Sequence, residues 1–140
     1  MSEQGTQRPS GQGTITNLAR WHWTQYTSAL ESLVHGNTKP GIDLLLELVV
    51  DPQLPWALRA LVNLSLARET DVRRYPISVK RAWISRAEAV IDIVKRDGKQ
   101  ATIDHVESQR QATINIVDEQ EREGVPARSK MRIRAPAAMG

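Results

Sequence analysis

Apolar residues recur along this chain at intervals of three and four, and that periodicity predicts helices almost throughout. Ile15, Leu18, Ala19, His22, Tyr26, Ala29, Leu30 and Leu33 fall on one face of a first helix, with Thr14 or Thr16 as its cap and Gly36 as its stop. Pro40 suits the first turn of a second helix, whose leucine- and valine-rich run from Ile42 to Val50 ends at Asp51-Pro52. Pro55 starts a third helix, Trp56 to about Glu69. Leu58, Leu61, Val62, Leu64 and Leu66 make it apolar almost all round, so it is expected to be enclosed by the others. A fourth opens at Pro76 or Ser78, carries the stripe Val79, Ala82, Trp83, Ala87, Val90, Ile91 and Val94, and stops at Gly98. Its outer face holds Arg81, Glu88, Asp92, Lys95 and Arg96, with Asp92 and Arg96 spaced to pair.

Beyond Gly98 the chain repeats itself. Gln100-Ala101-Thr102-Ile103-Asp104-His105-Val106-Glu107 returns as Gln111-Ala112-Thr113-Ile114-Asn115-Ile116-Val117-Asp118, eleven residues later. Eleven residues make three turns at about 3.67 per turn, so both copies present the same face of one long helix. Thr, Ile and Val between Ala112 and Val117 also suit a strand, but the alternation is poor and helix is preferred. The stripe Ile103, Val106, Ile114 and Val117 is thin, contains Arg110, and suits packing against another chain. Gly124 and Pro126 are read as the stop of this helix.

Residues 1–13 are rich in Gly, Gln, Ser and Pro and cannot join a packed core, which predicts a flexible, extended N-terminal arm. Residues 124–140 carry a basic residue at every second position from Arg128 to Arg134 and are read as a basic C-terminal arm. The expected architecture is therefore all-α, a compact bundle of about five helices over residues 14–123 between two arms.

Composition narrows the classes. A length of 140 residues supports one modest domain. The absence of cysteine excludes a disulfide framework, thiolate metal sites and a cysteine nucleophile. The longest apolar stretch, Leu44 to Val50, is broken by Glu47 and falls far short of the ~20 residues of a membrane span. The start, Met1 to Gly5, lacks the pattern of a cleaved signal peptide, so a soluble protein made in a cytoplasm is expected. His22, His35 and His105 do not share ligand spacing, so no metal is expected. His22 reads as a hydrogen-bonded core histidine, and His35 beside Gly36 suits a helix C-terminus. No phosphate loop, nucleophile elbow or paired-carboxylate signature appears, and neither a cofactor nor an enzymatic activity is expected.

Charge carries the functional reading. The net +3 resolves into −2 over residues 1–58, +5 over 59–99, −4 over 100–124 and +4 over 125–140. Two basic blocks flanking an acidic one suit a polyanion or head-to-tail contact between copies. Arg73, Arg74, Lys80, Arg81, Lys95, Arg96 and Lys99, with the tail residues Arg128, Lys130, Arg132 and Arg134, form the candidate phosphate-binding cluster. Arg86 and Arg110 fall on apolar sides of their helices and each requires a carboxylate or a phosphate. These cations are spread over several elements, which argues against a recognition helix and for binding indifferent to sequence. Trp21, Trp23 and Tyr26, together with Ile103, Val106, Ile114 and Val117, are candidates for a subunit interface; a neighbouring helix of the same chain is the alternative cover for Trp21.

The whole-chain plan resembles the small helical coat (major capsid) proteins of filamentous archaeal viruses. The features are the Gly/Ser/Gln/Pro arm, an aromatic-bearing helix with Ala19-Arg20-Trp21-x-Trp23, helical hairpins and a basic C-terminal arm. The resemblance implies helical subunits that wrap double-stranded DNA in a virion through non-specific phosphate contacts, with copies of the chain or a related coat protein as partners. Small terminase-type packaging adaptors and helical small subunits of RNA-guided complexes are the alternatives. Ile42 to Arg68 also looks like one helix pair of an armadillo or HEAT solenoid, but a solenoid needs at least about three repeats.

Overall fold

The computed structural model of the chain describes residues 15–133, with side chains from Asn17 to Glu123. It is all-α: α1 (Ile15–Val34), α2 (Thr38–Val49), α3 (Trp56–Glu69), α4 (Ile77–Asp97) and α5 (Gln100–Ile133), with no strand among the described residues. Residues 1–14 and 134–140, including all of the expected N-terminal arm and the end of the C-terminal one, lie outside the described residues.

Each helix ends where the chain supplies a reason. Gly36 takes φ +86° after α1. Its N–H donates to Leu33 O and the Asn37 N–H to Ser32 O, closing a Schellman motif. Pro52 and Pro55 bracket the α2–α3 corner, and Pro76 precedes α4. Gly41 lets α1 and α2 cross closely, since a Cβ there would stand 3.0 Å from the Ala29 carbonyl oxygen and 2.8 Å from Leu33 Cγ.

α3 is the axis of the bundle. Residues 61–67 are buried without interruption, as an all-round apolar helix requires. α1 and α2 pack on one side of it as a hairpin, while α4 and α5 cover the other side as an antiparallel pair. A polar thread crosses the whole assembly. Tyr26 OH of α1 lies 3.2 Å from Ser65 Oγ of α3, and Arg68 donates to Ser65 Oγ at 3.2 Å and onward to Gln109 and Thr113 of α5 at 3.0 and 3.2 Å.

Two expectations about helix faces and ends are corrected. The buried face of α4 runs through Lys80, Trp83, Ile84, Ala87, Val90, Ile91 and Val94, while Val79 is 37% exposed. Five of the seven expected positions hold, and Lys80 and Ile84 take the places of Val79 and Ala82, which turns the buried face by about 40° because Lys80 occupies a core position that an apolar count skips. α5 also does not stop at Gly124 or Pro126; it continues to Ile133, a helix of 34 residues and about 51 Å. Good helix formers follow the proline (Ala127, Arg128, Lys130, Met131), so local propensity favours resuming the helix. Much of the expected C-terminal arm is therefore helix rather than extended chain.

The eleven-residue repeat is preserved in three dimensions. Val106 and Val117 are both fully buried. Gln100 donates to Asp104 at 2.8 Å and its counterpart Gln111 to Asn115 at 3.0 Å. Glu107 and its counterpart Asp118 each take a cation from α4.

Candidate functional site

The expected phosphate-binding residues divide into four groups. Lys80 is buried: its Nζ donates to the Thr70 carbonyl and to Thr70 Oγ1, closing the C-terminal end of α3. Burial pushes its pKa down to about 8, against weaker opposing attraction from Asp71 and Glu69. No phosphate reaches it, so Lys80 leaves the candidate set.

A second group is committed to carboxylates. Arg81 meets Asp118 at 2.7 Å and Glu121 at 2.5 Å, and their hydrogen bonds raise its pKa above the usual arginine value. Lys95 lies 2.6 Å from Glu107. Arg110 lies 2.9 Å from Glu88 and 3.8 Å from Glu107, so of the two partners open to it a carboxylate is the one present. Arg73 folds back onto Asp71 at 3.2 Å, and the Asp71 pKa is lowered first by the hydrogen bond from the Arg73 backbone N–H and then by the guanidinium. The Arg81 and Lys95 pairs and Arg110–Glu88 clamp α4 to α5, Arg73–Asp71 is local to the α3–α4 connection, and the cations of all four are largely neutralised at close range.

The third group is Arg74, Arg86, Arg96 and Lys99, all exposed and without an ion-pair partner among the described residues. Arg86 stands on the outer flank of α4, against the expectation that it faces the apolar side; the turn of the buried face toward Lys80 and Ile84 carries that face away from it. Asp92 and Arg96 form no pair with each other.

The fourth group is the tail. Arg128, Lys130 and Arg132 fall within α5, and Arg134 lies outside the described residues. Residues 15–123 hold fourteen basic and fifteen acidic side chains, whereas residues 124–140 hold four basic and no acidic ones. The helical body is thus close to neutral, and the net positive charge of the sequence comes from its last seventeen residues.

The expected interface residues also separate. Tyr26, Val106 and Val117 belong to this chain's own core, since the α1–α3 and α3–α5 contacts already cover them. Ile103 and Ile114 are half-buried at the α5 seam. Trp23 remains 40% exposed with its ring edge-on to Tyr26, and Trp21 is half-buried, its Nε1 enclosed without a hydrogen-bond partner.

Three structural roles were not anticipated. Arg59 donates to the carbonyls of Val49 and Asp51, at 3.1 and 2.5 Å, and so secures the α2–α3 corner. Arg68 carries the polar thread. Asp51 is the partner of His22. Arg59 and Arg68 both sit in a helix otherwise nearly free of charge, a signal that each has a fixed partner.

A cleft of about 230 Å³ opens between the start of α2 and the α3–α4 connection, lined by residues including Ile42, Glu69, Asp71, Arg74 and Tyr75. Its charges are mixed in sign. No helix among the described residues is long and apolar enough to cross a membrane. Comparison with protein-family models, curated proteins and solved structures finds no match.

Proposed function

We propose that this chain is a structural, non-enzymatic protein that packages nucleic acid as a multimer, holding phosphates through the basic end of α5 and the residues after it. The segregation of charge supports the reading most. The near-neutral body commits Arg81, Lys95 and Arg110 to ion pairs, while the last seventeen residues of the sequence hold four basic residues and no acidic one. Such an array binds phosphates by releasing counterions and reads no sequence. Arg74, Arg86, Arg96 and Lys99 are the only other expected phosphate ligands left without a carboxylate among the described residues. A coat protein around double-stranded DNA in a filamentous virion is the most concrete form of this function.

Filter binding to double-stranded DNA across a salt series tests it. The full chain binds DNAs of unrelated sequence equally, and log K falls with log salt by about 0.9 for each phosphate neutralised. Replacing Arg128, Lys130, Arg132 and Arg134 together by Gln flattens that slope. Absence of binding at low salt, or a slope unchanged by the replacement, contradicts the proposal.

A further inference from the structure

Among the described residues α4 packs against α3 and α5 and against no other helix. Its core face is turned to α3, and one flank (Arg81, Glu88, Lys95) is tied by ion pairs to α5. The opposite flank carries Val79, Ala82, Arg86, Ala89, Ile93 and Arg96 at spacings of three, four, three, four and three, the register of a helix–helix seam. Val79, Arg86 and Ala89 on it are exposed, and Ala82 and Ile93 are half-buried.

Charge bordering this face, about 60° to either side of Ala89 around the helix, is unspent and self-complementary. Arg86 and Asp92 are exposed, have no ion-pair partner among the described residues, and stand three residues on either side of Ala89. On the α5 flank, by contrast, each of Arg81, Glu88 and Lys95 has a partner.

We propose that this flank of α4 pairs antiparallel with the same flank of a second copy, about a two-fold axis at Ala89. A two-fold operation makes the contact isologous, so each Arg86 meets Asp92 of the second copy and both pairs form at once. Alanine at the crossing lets the axes approach to about 8–9 Å. At that separation an arginine reaches a carboxylate three residues past the crossing point. Ala82 leaves room beside Ile93 of the other helix. The inference is independent of the polyanion reading, because its test contains no nucleic acid.

Sedimentation equilibrium of the full chain without DNA, compared among wild type, Arg86→Glu, Asp92→Arg and the double variant, decides it. Wild type dimerises. Each single charge reversal weakens the dimer on the order of tenfold or more, since two attractions become two repulsions. The double variant, which restores opposite charges in exchanged positions, returns to within about threefold of wild type. A wild type monomeric at every concentration, single variants that associate like wild type, or a double variant no tighter than the singles overturns the proposal.

Discussion

His22 is fully buried in α1 and its Nε2–H donates to Asp51 Oδ2 across 2.8 Å, fastening the first helix to the corner between α2 and α3. The other ring nitrogen, Nδ1, is enclosed without a partner. Arg59 donates to the Asp51 carbonyl from the other side, so one aspartate joins three helices. Replacing His22 by Ala leaves a cavity and deprives the carboxylate of a donor. We expect a loss of about 2–4 kcal/mol in urea unfolding. A loss below about 1 kcal/mol would show that the contact contributes little.

Arg68 is the middle of the polar thread from α1 to α5. Arg68→Met keeps much of the aliphatic stem and removes the donors to Ser65, Gln109 and Thr113. The expected cost is about 1–3 kcal/mol, with Thr113, fully buried, left without its guanidinium donor. Hydrogen exchange checks the location: α5 near Thr113 loses protection before α2 does.

Lys80 makes stability depend on pH in a defined direction. Its folded-state pKa is lowered to about 8 from 10.5, so between those values the unfolded chain binds more protons than the folded one. Stability contributed by this group therefore rises as pH increases from about 8 to 10.5, and the cost of burying the ammonium is full below 8. Urea unfolding of wild type and Lys80→Met at pH 7 and pH 10 isolates it. Wild type gains on the variant by about 1–3 kcal/mol over that interval. A constant difference would mean that the amine keeps its ordinary pKa when folded.

The α1–α2 crossing has no room for a side chain at Gly41. Gly41→Ala places a methyl against the Ala29 carbonyl and Leu33, and α1 must shift outward. We expect a loss of about 1–3 kcal/mol despite alanine's higher helix propensity. Gly36→Ala is destabilising for a different reason, its positive φ, by about 1 kcal/mol. Gly36→Asn, which tolerates the left-handed region, recovers part of that.

Much of this architecture is legible in the sequence, because prolines and glycines punctuate it and α3 is apolar on all sides. The eleven-residue repeat announces one continuous α5, and the core role of His22 follows from its place in the α1 stripe. Lys80 is not legible as buried: its aliphatic stem fills a core position while its charged end reads as surface. Nor are the partners of Arg81, Lys95 and Arg110, which come from a helix that approaches only in three dimensions. The repeat held a clue, since its Glu107 and Asp118 occupy equivalent positions and take Lys95 and Arg81 of α4. Pro126 reads as a stop because proline breaks most helices, yet the residues after it are strong helix formers.

The consequence for function is a shift of the phosphate contacts away from the middle of the chain. Gln at Arg81, Lys95 and Arg110 should loosen the α4–α5 clamp by less than about 1 kcal/mol per pair and leave the salt slope of DNA binding nearly unchanged. Filter binding of that triple variant checks it; a flattened slope would return these arginines and this lysine to the site.

Electron microscopy of the full chain mixed with linear double-stranded DNA at low salt tests the central claim most directly. Filaments of uniform diameter that coat the DNA and dissociate as salt is raised are the expected result. Bare DNA beside unassembled protein under those conditions would contradict it.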